Sequence, residues 1–188
     1  QSTVSSVVAG IGEGGDVTIQ AENINLLNGG STGTAGIGTG SAGNVNLEAT
    51  TTNSISGQNP VNGSPSGLLA SVVSLPGITS QGDGGNILLR ANSIDLQDRA
   101  FIGSIVTSVP GSPITMGNSG DIVIVTNDLS VQDGSQIRSS SGGSGNAGNI
   151  VVAANNNVIV TGADDDENIR SGLFSTVEFG AQGSGGDI

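Results

Sequence analysis

Carboxylates are the only abundant reactive side chains in this sequence, and three groupings of them could do chemistry. Ala163-Asp164-Asp165-Asp166-Glu167-Asn168 brings four acids together at residues 164–167. That is the donor type Ca²⁺ requires when it takes six to eight oxygen ligands. The other reading of this run is a solvated acidic loop near Arg138 and Arg170, screening two guanidiniums stacked in one column. Asp95 with Asp98, or Asp128 with Asp133, could supply the two carboxyls that glycoside hydrolysis needs at a set separation. Asp98 and Asp133 also sit beside turns, where Asp is common for local hydrogen-bonding reasons.

The remaining chemistry is mostly excluded by composition. There is no Cys, His, Trp, Tyr or Lys, and the only cations are Arg90, Arg99, Arg138 and Arg170. A disulfide framework, thiolate nucleophile or zinc ribbon needs Cys. A Ser-His-Asp triad needs His, and a Schiff base needs Lys. Polysaccharide-cleaving clefts bring aromatic platforms and basic side chains that are scarce here. No catalytic residue, cofactor-binding residue or metal ligand is assigned, and the chain is not expected to be an enzyme. Sixteen acids against four Arg give a net charge of −12, which argues against nucleic acid and anionic membrane as partners. No run of 18 apolar residues is present, so no transmembrane helix is expected.

The elements that must position these residues come from an internal repeat. A Gly-[Asp/Asn]-[Val/Ile] step begins at Gly15, Gly43, Gly85, Gly120, Gly148 and Gly186. Each step opens a period-2 alternation: Val17/Ile19/Ala21, Val45/Leu47/Ala49, Ile87/Leu89/Ala91, Ile122/Ile124, then Ile150/Val152/Ala154. This is the pattern of a strand with one buried face. A second alternating pair follows, Ile24/Leu26, Ile94/Leu96, Leu129/Val131 and Val158/Val160, with Ile55 alone in the second copy. A third short strand is expected at Leu68-Leu69-Ala70-Ser71, Ile102-Gly103-Ser104, Ile137-Arg138-Ser139 and Ile169-Arg170-Ser171. Thr3-Val4-Ser5-Ser6 reads as the same strand of an earlier coil.

Strands this short gain partners only by stacking on their counterparts one repeat later. The sequence therefore predicts an all-β, right-handed parallel β-helix, with about three short strands per coil and roughly five coils. Residues 1–188 form a single β-solenoid segment with coil starts near 15, 43, 85, 120, 148 and 186. The Gly-[Asp/Asn] column reads Asp16, Asn44, Asn86, Asp121, Asn149, Asp187. No two Asp are neighbours, and stacked Asn is expected to form amide ladders. Phe101 and Phe174 fall in third-strand regions and are expected to pack at a corner. Thr50-Thr51-Thr52 is a single run, not the regular Thr ranks of an ice-binding face.

The stretches Gly120-Asp121-Ile122-Val123-Ile124, Leu129 to Ile137 and Gly145-Asn146-Ala147-Gly148-Asn149-Ile150 carry a resemblance. They resemble the repeat of filamentous-haemagglutinin-like exoproteins, more narrowly the arrays of large secreted proteins of cyanobacterial type. The resemblance covers nearly the whole chain and is cleanest over 85–162. It implies secretion by the two-partner route and a place on the outer surface of a Gram-negative-type bacterium. It also implies use as an adhesin or surface fibre. The secretion domain of such proteins is not visible in this sequence.

Gln1-Ser2-Thr3-Val4 is not a signal peptide, and neither end looks like a solenoid cap. The segment is expected to belong to a longer chain or fibre, stacking end to end or continuing into neighbouring solenoid segments. The alternative is a module that binds cell-surface glycans or a protein partner, on host or neighbour cells, through insertion loops at 57–66, 105–117 and 162–168.

Overall fold

A computed structural model describes residues 2–164 and 169–188. Twelve strands and no helix are found among them: β1 (Thr3–Gly10), β2 (Val17–Leu27), β3 (Ser31–Gly38), β4 (Val45–Ser56), β5 (Gly67–Ser74), β6 (Ile87–Arg90), β7 (Ser93–Gln97), β8 (Phe101–Ser108), β9 (Ile122–Gln132), β10 (Gln136–Ser141), β11 (Ile150–Thr161) and β12 (Gly172–Val177). Every pairing between these strands is parallel, in two sheets ordered β1-β3-β5-β8-β10-β12 and β2-β4-β6-β9-β11, with β7 beside β6 between β4 and β9. The chain is a parallel β-helix.

The register is the one the alternation requires. Val17, Val45, Ile87, Ile122 and Ile150 lie in one column. Leu68, Ile102, Ile137 and Leu173 lie in another. Leu47, Ile55, Leu89, Leu96, Ile124 and Val131 are fully buried in one continuous core. Each such side chain contributes about 1.5–3 kcal/mol on burial. The expected first and second strands run together as one bent strand in β2, β4, β9 and β11. They separate only in the third coil, as β6 and β7. The bend carries a register shift, between Ala21 and Asn23 in β2 and between Ala154 and Asn157 in β11. Ile55 lacks an apolar partner in its copy because Asn53 stands in the column of Ile24 and Ile94. Asn53 is 1% exposed, and its Nδ2 donates to the Arg90 carbonyl at 3.3 Å, at the end of β6.

Two expectations need correction. Ile169-Arg170-Ser171 is not the third strand of the fifth coil. Leu173 and Ser175 of β12 take the register of Ile137 and Ser139, while Ala163 and Arg170 form an antiparallel bridge in the preceding loop. The insertion uses the Ile-Arg-Ser triplet to close itself, and Leu-Phe-Ser four residues later offers the ladder the same apolar–any–hydroxyl pattern. The loop expected at 105–117 also starts later, because residues 105–108 belong to β8. A further excursion after β5 is closed by a Leu75–Ile78 bridge.

The repeat step itself is a backbone-on-backbone contact. A Cβ on Gly43, Gly85, Gly120, Gly148 or Gly186 would sit well inside contact distance of the carbonyl of the equivalent glycine one coil earlier. A second column of the same kind lies three residues upstream: Gly12, Gly40, Gly82, Gly117, Gly145 and Gly183. Replacing Gly85 with Ala is expected to cost about 3 kcal/mol, at the top of the overpacking range. Gly111, with φ +84° and nothing within 4 Å of its added Cβ, meets only the left-handed backbone penalty of about 1–2 kcal/mol. Urea midpoints of Gly85→Ala and Gly111→Ala test this, and equal losses would contradict it.

Candidate functional site

Carboxylates outside the three candidate groupings, those of Asp16, Asp83 and Asp121, hold one coil to the next. Asn44 N–H donates to Asp16 Oδ1 at 2.7 Å, while the Asn44 carbonyl accepts from Val17 N–H at 2.9 Å. Asn86, Asp121, Asn149 and Asp187 each repeat the first bond, donating N–H to Oδ1 of the coil before. The upstream glycine column carries the same device, from Asn118 N–H to Asp83 Oδ1 at 2.7 Å and from Asn146 N–H to Asn118 Oδ1 at 2.9 Å. The side-chain oxygen stands in for a backbone carbonyl that the glycine turns away. The ladder thus runs from side chain to backbone and not through the expected chain of amides; two Asn Nδ2 bonds, Asn44 to Asp16 and Asn118 to Asp83, accompany it. Since the ladder asks only for Oδ1, Asp and Asn serve equally.

In the two candidate acid–base pairs, the carboxylates of Asp95, Asp98 and Asp128 are engaged by neighbouring side chains. Asp95 accepts from Gln97 Nε2 at 2.8 Å, and Asp98 accepts from Ser56 Oγ at 2.8 Å. Asp128 accepts from the Nδ2 groups of Asn156 and Asn157 at the bend of β11. Those bonds, Asn157 first, hold its carboxyl below the ordinary value. Asp98 and Asp133 are left-handed turn residues on successive coils, both with φ 52°, and Arg99 N–H donates to the Asp133 carbonyl at 2.9 Å.

That turn column is the most built part of the surface. Asn28-Gly29, Asp98-Arg99 and Asp133-Gly134 each place two central residues at positive φ, the type I′ geometry. Each is closed by a backbone bond, such as Ala100 N–H to the Gln97 carbonyl. Insertions one coil later fold back over the glycines. A Cβ on Gly29 would lie 2.6 Å from Asn59 Cβ, and one on Gly134 would lie 2.7 Å from Asp164 Cβ. Arg99 occupies the glycine position between them at φ 63°. Its Nε lies 3.6 Å from Asp164 Oδ2 and, with the Gln58 amide turned to the orientation that satisfies its hydrogen bonds, 3.2 Å from the Gln58 side-chain oxygen. One guanidinium thus ties the 57–66 insertion to the loop that begins at Gly162. Gln58, Asp98, Arg99, Asp133, Ala163 and Asp164 line a hollow of about 290 Å³. Nothing in the alternation signals this; a non-glycine at a glycine position of the turn was the only clue.

Asp165, Asp166 and Glu167, the centre of the calcium candidate, lie outside the described residues. Among the described residues no three acids gather closely enough to hold a metal. Arg138 and Arg170 do not share a column, because Phe174 stands in register with Arg138. Arg138 pairs instead with Glu178 at 2.6 Å. Phe101 and Phe174 do lie on third strands, and their rings lie across the Cβ positions of Gly103 and Gly172, so a side chain there would have to displace the ring. No family model, curated protein or solved structure matches this chain significantly.

Two outcomes follow from these contacts. Arg99→Gly removes the tie but also a left-handed non-glycine, so global stability is expected to change by less than about 1 kcal/mol. Hydrogen exchange at 58–65 and 163–164 is expected to rise together, and protection unchanged in both would refute the tie. The Asp128 carboxyl is depressed by its amide partners. Its contribution to stability is therefore complete above the ordinary carboxylate value and is lost as pH falls through the folded value. Asn157→Ala is expected to raise the Asp128 titration midpoint measured by NMR.

Proposed function

We propose that the chain is a structural shaft segment of a secreted or cell-surface, adhesin-like protein, resembling the filamentous-haemagglutinin-like exoproteins. The observation that carries this reading is the sameness of the rungs. Each coil presents the next with the same glycine backbone, the same Oδ1 or Oγ acceptors and the same aliphatic columns. Such a unit extends a rod without altering it. Asp16, Asp83 and Asp121 serve this stacking, and Glu48, Asp164 and Glu178 pair with Arg90, Arg99 and Arg138. In this reading the coils stack on neighbouring solenoid segments, and the segment sits outside the cell, exported by the two-partner route.

A second reading rests on the Arg99 tie. Two insertions held by one guanidinium make a fixed surface able to meet a glycan or protein partner. Excising residues 59–65 leaves Gly57, Gln58 and Ser66 between β4 and β5, matching the short turn between β2 and β3. A shaft is expected to keep cell adhesion after this excision, measured by attachment of cells displaying the parent protein. Loss of adhesion favours the loop surface. Antibody against the segment is expected to label intact cells, and labelling only after lysis would overturn the surface location.

A further inference from the structure

We infer that the outer face of the sheet holding β3, β5 and β8 carries a binding site for a short, uncharged saccharide. A hollow of about 330 Å³ lies there, inside the usual range for small-ligand sites. Its floor is bare backbone. Gly33 and Gly67 cannot carry a Cβ, because it would collide with the carbonyls of Leu69 and Phe101 on the next coil. The outward columns therefore lack a side chain on adjacent coils, just where neighbouring positions are large: Leu69 lies directly opposite Gly33, and Phe101 directly opposite Gly67. Leu69, Phe101 and Pro65 form apolar walls, and the Phe101 ring lies over the Cβ position of Gly103.

The rim has a different chemistry. Thr3 and Ser31 stand on adjacent coils with their hydroxyls 3.0 Å apart. Ser5 and Ser64 add two more hydroxyls to the rim, while buried Ser71 also lines the hollow and Thr32 and Thr34 donate theirs to the Val4 and Gly43 carbonyls. Each hydroxyl has one donor and two acceptor sites, so capacity remains beyond the bonds described. Among the described residues no charged side chain lines the site, although the chain carries sixteen acids and four arginines. A neutral saccharide offers the matching pair of surfaces: apolar C–H faces for Leu69, Pro65 and Phe101, and hydroxyls for the rim. A fatty acyl chain would use only the walls. A peptide strand finds no free ladder, because β3, β5 and β8 are each already paired on both sides. The site is independent of the shaft reading, since a rod can carry a ligand on its flank.

The test is an NMR titration of the whole chain with cellotetraose, maltotetraose and chitotetraose, up to about 10 mM, which covers weak millimolar binding. Tetragalacturonate and dodecanoate serve as charged and acyl comparisons. At least one neutral tetrasaccharide is expected to shift amides of residues 31–35 and 67–71 saturably. Leu69 is 39% exposed and points outward, so Leu69→Glu is expected to leave Tm unchanged and weaken binding roughly tenfold or more. Ser31→Glu, on the adjacent coil, replaces it if Leu69→Glu lowers Tm. The proposal is overturned if no neutral probe shifts these amides, or if only tetragalacturonate or only dodecanoate does. It is also overturned if the folded glutamate variant binds as the parent does.

Discussion

The structure depends on how closely one coil lies on the next at the glycine steps. There the backbone of each coil touches the carbonyl of the coil before, with no room for a side chain between them. Glycine permits the approach but turns a carbonyl out of the ladder. A buried or pinned N–H left without a partner is costly, and the Asp, Asn or Ser beside the glycine supplies the oxygen that the backbone withdrew. The two residue types are thus one device. The first lets the coils meet, and the second repairs the hydrogen bonding that the meeting disturbs.

Much of the rest follows from that contact. Because register is set at the glycine steps, the aliphatic columns need only small choices among Val, Ile, Leu and Ala. Between those steps the chain is free to vary in length, and the separation of ladder partners ranges from 28 to 42 residues. Insertions leave the coil after β4, β5, β8 and β11 and return without disturbing the register. Two of them fold back over the turn glycines beneath, Asn59 over Gly29 and Asp164 over Gly134. On the surface assembled in this way, Asp98, Asp128 and Asp164 are held in local hydrogen bonds and ion pairs.

The parallel coil was legible because its cause is periodic. Val17, Val45, Ile87, Ile122 and Ile150 keep the same distance from the Gly-[Asp/Asn] step, and the period-2 alternation after it admits one burial pattern. The upstream glycines were harder to see, since the residues beside them range over Glu13, Ser41, Asp83, Asn118, Asn146 and Ser184. They share an acceptor oxygen but no side-chain type. Ile169-Arg170-Ser171 misled because two triplets of the same kind lie four residues apart, and only the closure of the insertion chooses between them. Arg99 reaching Asp164 and Gln58 is a contact between separate coils, which no local pattern encodes. The hollow beside Phe101 was hidden for a related reason: a missing side chain becomes a cavity only when the neighbouring coil is known.

The perpendicular setting of strands to the stacking axis has a mechanical side. Force along the axis does not shear a long set of bonds at once; it peels the outermost coil, breaking one ladder partner after another. A coil adds about 4.8 Å of length while stacked, but 28 residues of released chain can span roughly 95 Å. Each peeled coil therefore lets out about twenty times its stacked length, while the coil beneath presents the same glycines and acceptors and resists in turn. Under tension such a rod yields in discrete steps and dissipates energy at each one, and when slackened it offers the released coil the template on which to rewind.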